Sequence, residues 1–395
     1  MKAADPRKTA LRFILLMGVV SLFGDITYEG GRSVAGPFLA SLGAGAALIG
    51  LIGGAGEFVG YALRIFSGRL ADRRGMHWFF VILGYSLILA IPLLAFTGRW
   101  ETAVVLILLE RAGKAVRAPS RDAILSHAAK AVGRGFGFGI HEAMDQIGAL
   151  AGPLLMSLAL FVGWGYRGAF ALLALPGLLA IAFVLGARAK VPVPETFERP
   201  ESSSPGGKKL SSPFWLYTAF VFVSVAGFAN FPLISYHFTA KTVFSVRTIP
   251  LLYALAMGVD GAVAILIGKF YDRAGFASLL AIPILTLLIP FFAFSPNIPG
   301  AVAGMVLWGA AMGIHETIMR AAIADLTPRD RRGTAYGIFN AAYGLAWALG
   351  GAAMGFLYAR SPIFPAYFSA ALQILSLPLL IILITSEGAK RPHLL

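Results

Sequence analysis

Residues 68–75 read Gly68-Arg69-Leu70-Ala71-Asp72-Arg73-Arg74-Gly75, and residues 268–275 read Gly268-Lys269-Phe270-Tyr271-Asp272-Arg273-Ala274-Gly275. Both octets carry a leading Gly, a central Asp-Arg and a closing Gly in the same register. Each follows an apolar stretch long enough to cross a bilayer, which takes roughly 20 residues. A turn repeated after two such stretches points to a duplicated helical bundle in a membrane. Fainter echoes run on: Arg134-Gly135 answers Arg332-Gly333, and Gly139-Ile140 answers Gly337-Ile338.

Composition agrees. Of 395 residues, 58% are hydrophobic and 13% are charged, with no Cys. A soluble chain of this size needs more polar residues to cover its surface. An ordinary globular enzyme, a disordered tail and a disulfide scaffold are therefore excluded, and so are thiolate metal sites. The net charge of +14 would suggest nucleic acid in a soluble chain. In a membrane chain the same excess marks the loops that face the cytoplasm.

Twelve candidate spans begin near Leu11, Ala46, Trp78, Thr102, Gly133, Tyr166, Pro213, Val246, Phe276, Pro299, Gly333 and Pro362. The segment 188–212, rich in Pro, Ser and charge, reads as a linker between two halves, 1–187 and 213–395. Lys2, Arg7 and Lys8 before an apolar run imitate a signal peptide, but the run continues past Asp25 without a convincing cleavage site. With both termini cytoplasmic, the opposite side holds only Arg99, Arg167, Lys241, Arg247 and Arg360, and most other basic residues face the cytoplasm. The excess charge is then a topology signal, and no nucleic-acid partner is expected. Trp78, Trp100, Trp164 and Trp215 fall at span ends, where an interfacial indole is favoured.

On these residues the chain resembles the major facilitator superfamily over essentially its whole length. The Gly-x-x-x-Asp-Arg-x-Gly connection at 68–75, echoed at 268–275, is that family's most specific mark. Gly139, Gly148, Gly152 and Pro153 in span five match most of the glycine-proline signature of antiporter-type members, with Met156 and Ser157 in place of its final Gly pair. Glu110-Arg111-Ala112-Gly113-Lys114 matches the span-four motif only loosely, and Arg117–Ala123 resembles a bacterial and archaeal branch. The resemblance implies an all-α membrane protein with twelve transmembrane helices in two pseudo-symmetric six-helix bundles. It also implies a prokaryotic-type cytoplasmic membrane and a monomer.

Physically, Asp72 and Asp272 can receive helix N–H groups and pair with Arg, so Gly68, Asp72, Arg73, Gly75, Gly268, Asp272, Arg273 and Gly275 are gating candidates. The bland alternative is that the Gly residues only permit the turn and the Arg residues only set topology. Gly139, Gly148 and Gly152, with Pro153, allow close helix approach. Gly133-Arg134-Gly135-Phe136-Gly137 lacks the strand and Lys-Ser/Thr of a phosphate loop.

Intramembrane charge costs at least about 2.5–3.5 kcal/mol per group, so it marks function. Asp25, Glu29 and Arg32 share a face of span one, and Glu57, Tyr61 and Arg64 one of span two. Glu110, Lys114, Arg117 and Arg121 stripe span four, while His141, Glu142 and Asp145 cluster in span five. Asp25, Glu29, Glu57, Glu142 and Asp145 are the proton-coupling candidates, against the alternative that acids merely neutralise bases. Arg32, Tyr61, Arg64, Lys114, Arg117 and His141 are substrate-cavity candidates from the first half. Asn230, Tyr236, His237, Asp260, Trp308, His315, Glu316, Asn340 and Tyr343 are those from the second. His residues are too scattered for a metal cage, and no metal or cofactor is expected. The reading is a secondary active transporter moving a small organic solute by alternating access, proton-coupled and exporting, with lipid and protons as partners. The alternative is a facilitator or proton symporter of the same fold. A membrane-embedded enzyme stands further off, because no Ser–His–acid constellation is visible.

Overall fold

A computed structural model describes residues 6–132, 134–194, 210–327 and 332–388. Gly133, the heart of the linker and the chain ends lie outside the described residues. The first-half helices are α1 (Pro6–Ser41), α2 (Ala46–Arg74), α3 (His77–Ser86), α4 (Ala90–Leu93), α5 (Trp100–Val132), α6 (Arg134–Phe161), α7 (Gly165–Leu172) and α8 (Ala174–Lys190). The second half supplies α9 (Ser212–Ala226), α10 (Phe231–Ala240), α11 (Ile249–Ala274), α12 (Ala281–Ala293), α13 (Ile298–Leu326), α14 (Arg332–Arg360) and α15 (Phe364–Gly388).

Short helices join into spans. His77–Phe96 combines α3 and α4, Gly165–Lys190 combines α7 and α8, and Ser212–Ala240 combines α9 and α10. Eleven of the described helical stretches are long and apolar enough to cross a membrane. The twelfth expected span is α5, whose 33 residues are ample in length. Its Glu110, Arg111, Lys114, Arg117 and Arg121 lower its hydropathy, as a charged stripe must. The break between α9 and α10 is written locally. The Asn230 side chain accepts a hydrogen bond from the Leu233 N–H at 3.0 Å, and Pro232 sits in the first turn of α10.

The repeated octets fold alike. Gly75 and Gly275 close α2 and α11 with φ of 61° and 56°, a region that strains any side chain. A Cβ on Gly68 would sit 3.3 Å from the Pro119 side chain of α5, and one on Gly268 would sit 3.6 Å from Thr317 of α13. Each glycine thus seats its helix on the helix two spans later. Arg273 is exposed. The side chains of Asp72, Arg73 and Asp272 lie outside the described ones.

The described chain clusters into two units: one joins the chain up to Val34 to the rest of the first half from Val59, and the other joins Ala35–Phe58 to the second half. The first unit's core gathers Phe13, Ile14 and Met17 of α1, Trp78, Val81 and Tyr85 of α3, Ile124 and Leu125 of α5, and Val184 of α8. Glycines bring its helices close. Gly113 of α5 faces the Gly84 carbonyl, while Gly148 and Gly152 of α6 lie against the Leu22 and Ile26 carbonyls of α1. Pro153 is buried beside them, and Gly139 faces open space.

In the second unit Gly50 and Gly54 of α2 meet α14 backbone to backbone. A Cβ on Gly351 would lie 2.7 Å from the Gly50 carbonyl oxygen, and one on Gly355 would lie 2.7 Å from that of Ala46. Small residues four apart on both helices permit this crossing. Gly351→Leu is expected to cost about 1–3 kcal/mol by overpacking. The check is thermal unfolding in detergent, with Gly258→Leu, whose added Cβ meets nothing within 4 Å, leaving Tm unchanged.

Large apolar side chains such as Phe66, Phe96, Ile265, Leu266 and Leu375 are 62–81% exposed. So much exposed apolar surface on long helices is a lipid-facing coat.

Candidate functional site

Helical spacing puts Asp25, Tyr28, Glu29 and Arg32 on one side of α1, opposite the charged stripe of α5. Tyr28 is the meeting point. Its hydroxyl accepts hydrogen bonds from Arg32 Nη1 at 3.0 Å and from Arg111 Nη1. Over its ring stand the Lys114 ammonium at 4.0 Å, the Arg111 guanidinium at 4.7 Å and that of Arg32 at 5.9 Å. Three cations around one phenol ring use its negative quadrupole.

The acids answer at longer range. Glu29 lies 4.0 Å from Arg32, and Glu110, 1% exposed, lies 4.0 Å from Arg111 and 3.8 Å from Arg117. Arg117 also donates to the Gly84 carbonyl at 3.4 Å and covers the Tyr85 ring at 5.0 Å. Arg64 stacks on Tyr61 at 4.6 Å. Glu57 is half-buried, and Glu142 is exposed.

Deeper along α5, Arg121 reaches Asp145 of α6 at 3.6 Å, Asp122 at 3.0 Å and the Ser21 hydroxyl at 3.1 Å. Ser21 sits 3.1 Å from both the Tyr85 hydroxyl and His141 Nε2, and His141 Nδ1 lies 3.4 Å from Asp145. One assignment of donors and acceptors fits these contacts. Tyr85 and Arg121 donate to Ser21, Ser21 donates to Nε2, and Nδ1 faces the Asp145 carboxylate. A chain of polar contacts Tyr85–Ser21–His141–Asp145 results, with Arg121 reaching its Ser21 and Asp145 members. Asp25 packs against Gly148, one turn along α6 from Asp145, and the charges of Asp145, Lys114, Glu29 and Arg117 all act on it.

This corrects the sequence reading, which sees no Ser–His–acid constellation. Ser21 and His141 are 120 positions apart, so no local pattern joins them. Ser21 is 1% exposed and already engaged by three partners, which suits a hydrogen-bonded relay better than a nucleophile. Sequence reasoning also missed Tyr28 and Tyr85. The usable signal was position: Ser21 precedes Asp25, and Tyr28 precedes Arg32, by one helical turn.

In the second unit the expected cavity residues fall into separate groups. Asn230 caps α10 and donates to the Gly50 carbonyl at 3.3 Å. His237 Nδ1 lies 2.7 Å from the Tyr358 hydroxyl, whose ring is 5.8 Å from Tyr236. Trp308, fully buried, donates to the Ala229 carbonyl at 2.9 Å. Asp260 is buried, with its carboxylate beside Gly313 of α13. Glu316 is exposed and Asn340 half-buried, while Tyr343 stacks on Phe339 at 5.9 Å. His315, buried, touches Phe228 and Tyr343. No group of three or more His, Asp or Glu able to hold a metal occurs among the described residues.

Comparison with known proteins accords with this architecture. The sequence profile of the Major Facilitator Superfamily matches residues 22–351 and again 216–394. The chain is 43% identical over 363 residues to an uncharacterized protein of Mycobacterium tuberculosis, covering 90% of this chain and 89% of that one. It is 28% identical over 382 residues to an uncharacterized MFS-type transporter of Methanocaldococcus jannaschii, covering 92% of each. Among solved structures, a mutant of the nucleoside transporter NupG superposes with a TM-score of 0.74 at 14% identity, over 94% of this chain and 99% of that one. That likeness carries the fold. The chain belongs to the major facilitator superfamily, as an all-helical integral membrane secondary transporter and not an enzyme.

Proposed function

We propose that the protein exports a small organic solute across a prokaryotic cytoplasmic membrane in exchange for inward-moving protons. The halves 1–187 and 213–395 alternate access, the linker 188–212 and both termini face the cytoplasm, and the working form is a monomer. Gly68–Gly75 and Gly268–Gly275 serve as the hinged corners of the gate. One observation carries the coupling: the Asp145 carboxylate is poised between Arg121 and the His141–Ser21 chain. A proton on Asp145 weakens its hold on Arg121, and loss of that proton restores it, so protonation is linked to how α5 meets α6. Asp25, Glu29, Glu57 and Glu142 supply further carboxylates to the route. Arg32, Arg64, Lys114 and Arg117 favour an anionic or zwitterionic group on part of the solute.

The test uses purified protein in sealed vesicles containing a pH-sensitive dye. A thermal-shift screen first selects a stabilising solute. Exchange predicts that outward solute flux drives proton entry and that a pH gradient drives the solute. A symporter gives the opposite sign. If a pH gradient of either sign leaves solute flux unchanged, the proton-coupled reading fails.

A further inference from the structure

Four aromatic rings of the second unit form a closed cycle. Phe228 lies 5.3 Å from His315, His315 lies 6.3 Å from Tyr343, Tyr343 lies 6.4 Å from Trp347, and Trp347 lies 5.3 Å from Phe228. They come from three places in the chain: the break after α9, the middle of α13 and two successive turns of α14. All four are buried, His315 and Trp347 to 3% exposure.

What sets this cycle apart is its polar atoms. Among the described residues, neither ring nitrogen of His315 nor the indole N–H of Trp347 has a hydrogen-bond partner. The other histidines and tryptophans that are buried as whole residues among the described ones are provided for. Trp308 donates to Ala229, Trp78 donates to Val191 at 3.1 Å, His237 meets Tyr358 and Ser295, and His141 meets Ser21 and Asp145. A buried polar group left unpaired costs about 1–3 kcal/mol. Two such residues on the same two rings, Phe228 and Tyr343, form a concentrated reserve of hydrogen-bonding capacity.

The chemistry of a fitting ligand follows from that reserve. A neutral imidazole offers one donor and one acceptor, and the indole offers one donor. An environment of four aromatic rings favours a flat ring over a bulky aliphatic group. Among the described residues no ion pair reaches His315 or Trp347, so a formal charge placed here would go uncompensated. We infer that Phe228, His315, Tyr343 and Trp347 bind the planar, uncharged, amide- or lactam-bearing ring of the transported solute. The ring stacks on Phe228 and Tyr343, its carbonyl accepts from Trp347, and its N–H donates to His315. This rests on the transport reading above and extends it: the cycle selects the ring of the transported solute.

The experiment is binding to the full-length purified protein in detergent, followed by thermal shift and by tryptophan fluorescence. The probes are benzamide, benzoate and cyclohexanecarboxamide. Benzamide is expected to raise Tm and to quench fluorescence. Benzoate, charged, and cyclohexanecarboxamide, not flat, are expected to bind about tenfold more weakly or worse. His315→Phe keeps a ring and removes both nitrogens, and Trp347→Phe removes the N–H. Each is expected to lower benzamide affinity about tenfold, the effect of one buried hydrogen bond. The inference is overturned if benzamide binds no better than cyclohexanecarboxamide, or if a folded His315→Phe binds benzamide as the parent does. Should both variants misfold, the three-probe comparison on the parent decides alone. No step needs a gradient. Failure here with proton-linked flux intact removes the ring site only, whereas benzamide binding without proton-linked flux removes the coupling and leaves the site.

Discussion

Asp145→Asn is expected to erase pH-driven solute accumulation while solute exchange at equal pH continues. A one-proton exchange converts each unit of pH gradient, worth about 1.4 kcal/mol, into roughly tenfold accumulation. Asn keeps the size and polarity of Asp and has no proton to carry, so that tenfold falls to none. The substitution should be tolerated structurally. Arg121 retains Asp122 at 3.0 Å and Ser21 at 3.1 Å, and so does not become an isolated buried cation. Vesicle accumulation against counterflow separates the two effects. If Asp145→Asn and Glu57→Gln both keep full driven accumulation, the coupling site lies elsewhere.

Glu110→Gln is expected to unfold or strongly destabilise the first unit. Glu110 is 1% exposed and faces two guanidiniums, Arg111 at 4.0 Å and Arg117 at 3.8 Å. Removing its charge takes away a counter-charge that two buried cations share, a loss of about 3–5 kcal/mol. The fall in Tm should be of the order of 10 °C. Adding Arg117→Gln should recover part of the loss, because the second change removes one of the uncompensated charges. An unchanged Tm in the single variant would show that the cluster does not hold α5 in place. The contrast with Asp145 is instructive. Both are acids beside Arg, but Asp145 is part-exposed and shares its Arg with an exposed neighbour, whereas Glu110 is fully buried between two guanidiniums.

Much of the site was legible as faces. The spacing of Asp25, Glu29 and Arg32 placed them together on α1, and Glu110, Lys114, Arg117 and Arg121 ran as one stripe on α5, because a helix repeats every 3.6 residues. Partner choice was not legible. Nothing local says that Arg121 meets Asp145, that three cations settle on Tyr28, or that Ser21 joins His141. Nor does any pattern single out Phe228 and Trp347, since an aromatic on an apolar helix reads as core or lipid coat until its neighbours are known. Gly50 and Gly351 illustrate the same limit: each is one more small residue in a glycine-rich helix until the other is found against it.

The linear chain was enough to establish the membrane class, the spans, the duplication and the turns at Gly75 and Gly275. Those properties depend on hydropathy summed along a segment and on backbone conformations that only Gly adopts freely, both of which are local. Tertiary structure alone decided which charges are paired, which hydrogen-bond chain exists, and which ring nitrogens go unanswered. Those depend on contacts between residues tens to hundreds of positions apart. A buried charge or N–H is costly or useful according to what packs against it, and only the folded bundle supplies that neighbour.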